Sequence, residues 1–323
     1  MSLPPPPDPW ASYRPSPGPQ STTPNPQRSH RPRALAAVAI GAAAVAITSA
    51  IVVVKATETP TATPSQPTPS DEDHGQSVLP LSGLVEPQGV ALDAQGTVYV
   101  ADAGTSEVLR LPQGATDATT LPFADSGPVS VAVGSDGSVY TTDYVNDRAL
   151  KWSDGASEPV ELPFTGLNRP GGIAVDGTGN VFVADSYNDR IMKLEAGTGT
   201  AGELPFSGLN NPFGVAVGAD GTVYAADTYN DRVLELPAGA SVASELPFPA
   251  LQGPNGVAVD DEGSVYVTAY GDGRVFALKE GATEPTALAF EGLDEPWGIA
   301  VDADRNVYVA DSGNGRILKL AVI

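Results

Sequence analysis

PWGIAVDADRNVYVADSGNGRILKLAVI, Pro296 to Ile323, decides how the chain folds. Its apolar runs are short and rich in Val, Tyr, Ile and Leu, with Asp, Gly and Asn between them. That pattern predicts three strands and no helix. The unit recurs upstream, with its opening proline at Pro87, Pro128, Pro170, Pro212, Pro254 and Pro296, spaced by 41 residues once and by 42 thereafter. In the earlier copies a fourth segment follows, ending in L-P-F. Four strands repeated radially at about 40 residues describe a propeller blade. The last unit stops after its third strand, and SVLPLSGL, Ser77 to Leu84, supplies the missing one from the other end of the domain. The expected fold class is therefore all-β: a six-bladed β-propeller over residues 78–323, closed by its N-terminal strand so that no sheet edge is left open at the seam.

Three zones precede the repeats. Residues 1–33 contain 11 prolines and almost no aliphatic side chains, so they are expected to be disordered or polyproline-like. ALAAVAIGAAAVAITSAIVVV, Ala34 to Val54, carries no charge and is long enough to cross a bilayer as one helix. Arg28, Arg31 and Arg33 flank it on one side, and Glu58 and Asp71 to Asp73 lie on the other. The positive-inside rule then predicts a single-pass membrane protein with a cytoplasmic N-terminus and an extracellular propeller. A cleaved signal peptide is the alternative, but the apolar run exceeds the usual length of such a region. Residues 55–77, rich in Thr, Pro and Ser, form an extended extracellular linker.

Composition narrows the chemistry. There is no cysteine, which removes disulfides and thiolate chemistry. Residues 78–323 hold 12 basic against 34 acidic side chains, a balance of −22. Phosphate is repelled by such a domain, so no nucleic acid is expected as partner. The only histidines, His30 and His74, precede the repeats, leaving the domain without the usual neutral-pH base or the commonest metal ligand.

The units resemble NHL repeats, as FVADSYNDRIMKL (Phe182 to Leu194) and YAADTYNDRVLEL (Tyr224 to Leu236) show. With the anchor and spacer, the arrangement resembles the extracellular sensor domain of actinobacterial receptor-type serine/threonine kinases. The 33 residues before the anchor carry no phosphate-cradling glycine loop or catalytic-loop motif, so phosphoryl transfer is not implied. Propeller lyases of the virginiamycin-inactivating and peptide-amidating types rely on pocket histidines that this domain lacks. Calcium-assisted lactone hydrolysis, known in related six-bladed folds, would need carboxylates converging at one channel mouth.

Six internal copies allow the repeat to be read against itself. An aspartate ends the second strand in five blades (Asp102, Asp143, Asp185, Asp227, Asp311), and an arginine opens the third five residues later (Arg148, Arg190, Arg232, Arg274, Arg316). An Asp–Arg pair across the foot of one loop follows, supporting the fold with about 0–1 kcal/mol if exposed. Two blades break the pattern. Glu107 replaces the arginine in blade one, making Asp102 and Glu107 the spot where a metal cation would be drawn, and Ala269 replaces the aspartate in blade five. By contrast, the middle residue of P-x-G varies: Gln88, Val129, Gly171, Phe213, Asn255, Trp297. Gln88, Asn255, Phe213 and Trp297, joined by Tyr144, Tyr187, Tyr229 and Tyr270 from the DSYNDR-type loops, are the candidate ligand-binding residues. Their loop-packing role in the tyrosines weighs against that reading. Aromatics and amides in an acidic surround suit a carbohydrate or peptide. The function expected is a membrane-anchored sensor or scaffold recognising a cell-envelope glycan, peptide or protein, without cofactor; a metal-assisted hydrolase or lyase is the alternative.

Overall fold

Each copy of the repeat folds into one blade. In a computed structural model, which describes residues 75–248 and 251–321, the chain forms six four-stranded antiparallel sheets. Blade four is representative, with strands Pro212–Val217, Val223–Asp227, Arg232–Leu236 and Ser244–Glu245. The innermost strands neighbour one another in a closed ring, Pro87–Leu92 beside Pro128–Val133 on one side and Pro296–Val301 on the other. Every residue of the six second strands is buried, as in Val181–Asp185. Apolar runs rather than alternation are what a strand covered on both faces requires.

The core lies between blades. Phe182, Ala184 and Ile191 of blade three pack with Val215, Val223, Ala225 and Leu234 of blade four. Across the seam, Val90, Val98 and Val100 of blade one meet Ala300, Tyr308 and Ile317 of blade six. Each large side chain buried in this way contributes about 1.5–3 kcal/mol.

The seam closes as the repeat count requires, with the closing strand beginning one residue earlier than the sequence pattern suggests. Gln76–Val78 is the fourth strand of blade six, pairing Gln76 with Leu320 and Val78 with Leu318. The L-P-F segment is not the strand itself. It follows the strand, where Leu121 N donates to Val108 O (2.8 Å) and Phe123 N to Leu121 O (2.8 Å). Leu79 and Leu81 repeat that geometry at the seam, with Leu79 N on Ile317 O at 2.9 Å. The Gln76 amide clasps the Glu291 backbone at both ends, donating at 3.2 Å and accepting at 2.8 Å.

Among the described residues no helix is long and apolar enough to cross a membrane. The tail at 1–33, the apolar segment at 34–54 and all but the last three residues of the 55–77 linker lie outside them.

Candidate functional site

The P-x-G motif builds one mouth of the central channel. At its proline the innermost strand carries a register shift against the second strand, between Pro87 and Gly89, Pro212 and Val215, Pro254 and Val257, and Pro296 and Ile299. Such bulges re-aim a side chain, and here the middle residue lines the channel. The glycine that follows is needed for space. A Cβ on Gly298 would strike the Gln88 carbonyl oxygen, one on Gly256 that of Trp297, and one on Gly214 that of Asn255. Neighbouring innermost strands therefore leave no room for a side chain at these three glycines, whereas blade two carries Ser130 in the same slot.

Gln88, Val129, Phe213, Asn255 and Trp297 are all buried. Blade three has Gly171 here, and a Cβ there would collide with the Phe213 ring, so Phe213 occupies the space that blade three leaves. From there it meets Trp297 edge to face, with ring centroids 5.0 Å apart, and Tyr270 stands against Trp297 at 5.7 Å. The cavity enclosed by the innermost strands is about 70 Å³, far below the roughly 300–1,000 Å³ of a drug-sized site. It has room for a single group of a larger ligand, not for a sugar ring.

The four loop tyrosines are placed at this mouth by backbone bonds to the residues preceding each proline: Tyr144 N to Gly127 O (3.0 Å), Tyr187 N to Asn168 O (3.2 Å), Tyr229 N to Asn210 O (3.2 Å) and Tyr270 N to Gly253 O (3.0 Å). They divide in character. Tyr144 is buried, Tyr229 and Tyr270 are half-buried, and Tyr187 is 36% exposed. Arg169 stacks on both Tyr144 and Tyr187 and donates to the Tyr187 hydroxyl at 3.2 Å. Burial pushes the Tyr144 hydroxyl strongly up, and burial with the Glu295 carboxylate brings that of Tyr270 to about 12. Neither phenol can serve as a base near neutrality.

The Asp–Arg feet are structural, and stronger than an exposed pair. Asp143, Asp185, Asp227 and Asp311 have no exposed surface, and their arginines lie 2.6–2.8 Å away. Asp185 also accepts from Asn168 N (2.7 Å) and Asn188 Nδ2 (2.8 Å). The second aspartate of the DSYNDR-type loops has a separate task that sequence reasoning missed. Asp147, Asp189 and Asp231 reach the next blade and accept from the backbone N–H of Arg169, Asn211 and Gly253 at 2.7–2.8 Å. Those donating residues precede a proline and have positive φ, between 45° and 60°. Their coincidence with proline was the available signal.

The two exceptional blades keep the loop by other means. In blade one, Asp102 faces Glu107 in register but is enclosed by donors: Glu86 N (2.8 Å), Val85 N (3.0 Å), Thr105 Oγ1 (3.0 Å) and Gly104 N (3.2 Å). In blade five, Ala269 fills the aspartate slot and Asp272, three residues on, accepts from Gln252 N at 3.2 Å. Arg274, without its partner, stacks on Phe276. Among the described residues no three acidic or histidine side chains converge as a metal ion requires.

The chain belongs to the virginiamycin B lyase family, whose profile matches residues 84–320. It is 45% identical over 53 residues to the serine/threonine-protein kinase PknD of Mycobacterium tuberculosis, a match that covers 15% of this chain and 8% of the kinase. Its fold is similar to that of a catalytically inactive histidine-to-alanine variant of virginiamycin B lyase from Staphylococcus aureus, solved with quinupristin (17% identity, TM-score 0.58, covering 75% of this chain and 83% of that one). It is also similar to that of a gluconolactonase from Xanthomonas campestris (14% identity, TM-score 0.64, covering 76% and 89%). At these identities the likeness is one of fold.

Proposed function

We propose that the propeller is a binding module, held at the outer face of the cell membrane by the 34–54 segment, which takes a cell-envelope peptide, glycan or protein at the P-x-G mouth. The observation that carries this reading is the pairing of Phe213 with Trp297 across the one innermost strand between them, with Phe213 leaning into the space that Gly171 leaves. The other four blades fill this slot with Gln88, Val129, Gly171 and Asn255, so the aromatic pair is not dictated by the blade. The sensor-type kinase that the chain resembles over 53 residues supports the same assignment.

Catalysis is the weaker reading. Residues 75–323 contain no histidine, whereas loss of one histidine gives the inactive form of the Staphylococcus aureus lyase. Tyr144 and Tyr270 at the mouth are held protonated, and the repeated aspartates are spent on loop N–H groups. Binding needs none of these groups to titrate.

The test uses the full-length protein and defined envelope fragments, peptidoglycan-derived peptides and glycans. Phe213 and Trp297 are packed as well as placed, so their truncation would confound binding with stability. Tyr187→Ala and Arg169→Ala alter the rim instead. Retention of fragments by the wild type, reduced at least tenfold in these variants with the thermal midpoint unchanged, is the expected result. Equal retention by wild type and variants removes the reading.

A further inference from the structure

The channel mouth contains two polar atoms for which the protein supplies no partner. Gln88 Oε1 and Asn255 Oδ1 are fully buried and accept no hydrogen bond, and both side chains, 5% and 4% exposed, line the same cavity. An unsatisfied buried carbonyl is costly. Every other blade fills this slot with a residue that has no acceptor to satisfy: Val129, Gly171, Phe213 and Trp297. Ring order places blade six, with Trp297, between the strands carrying Asn255 and Gln88. Two carbonyl acceptors thus flank one indole.

We propose that this cavity receives a primary ammonium group on an apolar stem, such as the end of a lysine side chain in a peptide ligand. The inference rests on the binding-module reading and specifies the ligand's chemistry. Three features converge on a cationic donor. The unmet atoms are acceptors, and a terminal amide with no partner is free to turn its oxygen toward the channel. The walls include Trp297 and Phe213, the side chains over which a cation is attracted and along which a methylene stem packs. On the rim directly above, Glu86 precedes Pro87 and Glu295 precedes Pro296, both exposed. Backbone bonds from Ala103 N (3.0 Å) and Ser312 N (3.3 Å) to their carbonyls fix them there. The cavity volume of about 70 Å³ admits this group and excludes a sugar ring.

The full-length protein is titrated calorimetrically with a short peptide carrying one lysine, with the same peptide acetylated at the lysine Nε, and with calcium chloride. The amine form should bind at least tenfold tighter than the acetylated form. Gln88→Leu and Asn255→Leu should each weaken the amine form about tenfold, since a hydrogen bond to a charged group is lost, while leaving the thermal midpoint unchanged or raised. Glu86→Gln should weaken it less, and only at low salt. Equal affinity for both peptides, or leucine variants that bind the amine as wild type does, overturns the inference. Calcium bound in the channel with no amine binding overturns it in favour of a metal. If envelope capture and its loss in Tyr187→Ala persist while amine preference is absent, the binding module stands and only its ligand class falls. If both are absent, the binding module falls as well.

Discussion

Arg190 Nε lies 2.7 Å from Asp185 Oδ2, across a directly paired register, and the carboxylate it meets has no exposed surface while the arginine keeps a quarter of its own. The asymmetry separates the two residues in their effect. Removing the carboxylate strands Asn168 N, Asn188 Nδ2 and the guanidinium together, in a loop that cannot rehydrate them all. Asp185→Ala is expected to cost about 3 kcal/mol. Arg190→Ala leaves the carboxylate its two other donors and should cost about 1 kcal/mol. Thermal unfolding of both variants should therefore show a midpoint drop about three times larger for the aspartate, with rim binding unaffected in the milder one.

Gly298 faces the Gln88 carbonyl oxygen across the boundary between the last blade and the first. A methyl group there has no space, and the obstacle is backbone, which cannot rotate away. Gly298→Ala should cost about 2 kcal/mol or more through overpacking, lowering the thermal midpoint by roughly 4–8 °C. Gly114→Ala is the control for the clash. No heavy atom would lie within 4 Å of its added Cβ, so it carries only the strain of a positive φ. A Gly298 variant no worse than the Gly114 variant would show that the ring can breathe at this slot.

Much of this was legible in the chain because the blade repeats. Six prolines at near-constant spacing fixed the number of sheets, and the truncated last unit showed where the ring closes. The Asp–Arg feet were readable as feet because they recur, but their burial was not. It depends on the loop preceding each proline folding back over the carboxylate, and those contacts are 17 residues apart in sequence. The channel slot was recognisable by its variation. That Phe213 leans into the space left by Gly171 was not, since it links residues of adjacent blades through a close approach with no sequence periodicity.

Asp272 tests whether blade five has truly moved its carboxylate. The N–H it accepts, from Gln252, stands two residues before the blade's proline, where Asn168 and Asn210 stand before theirs. Asp272→Ala should thus destabilise by about 1–2 kcal/mol, a large loss for a half-buried loop residue. Ala269→Asp in the same background should recover part of it, because Arg274 already sits opposite in register. Failure of the second substitution to rescue the first would mean that the loop is held otherwise.

Stability against pH should have two limbs, set by different repeated groups. Asp136 and Asp220 are held below the ordinary carboxylate value of 3.8, chiefly by backbone N–H donors from Ser138 and Thr222. A depressed folded pKa contributes stability that is present above the unfolded value and is lost as pH falls through the folded one. The acid limb should therefore begin near pH 3.8 and continue downward. Asp220→Asn should narrow its gap from wild type over that interval, because both proteins then carry an uncharged group. At the other end, Tyr99, Tyr224, Tyr266 and Tyr270 are raised from 10.0 to about 12, first by burial. For these acids the folded state binds the proton more tightly, so their contribution is complete below pH 10 and disappears as pH rises toward 12. Tyr266→Phe removes one of these groups and its bond to Asp260. The variant should be less stable than wild type at pH 7 and lose less between pH 10 and 12. Thermal midpoints measured from pH 2 to 12 resolve both limbs, and an alkaline limb unchanged in the Phe variant would place the titrating group elsewhere.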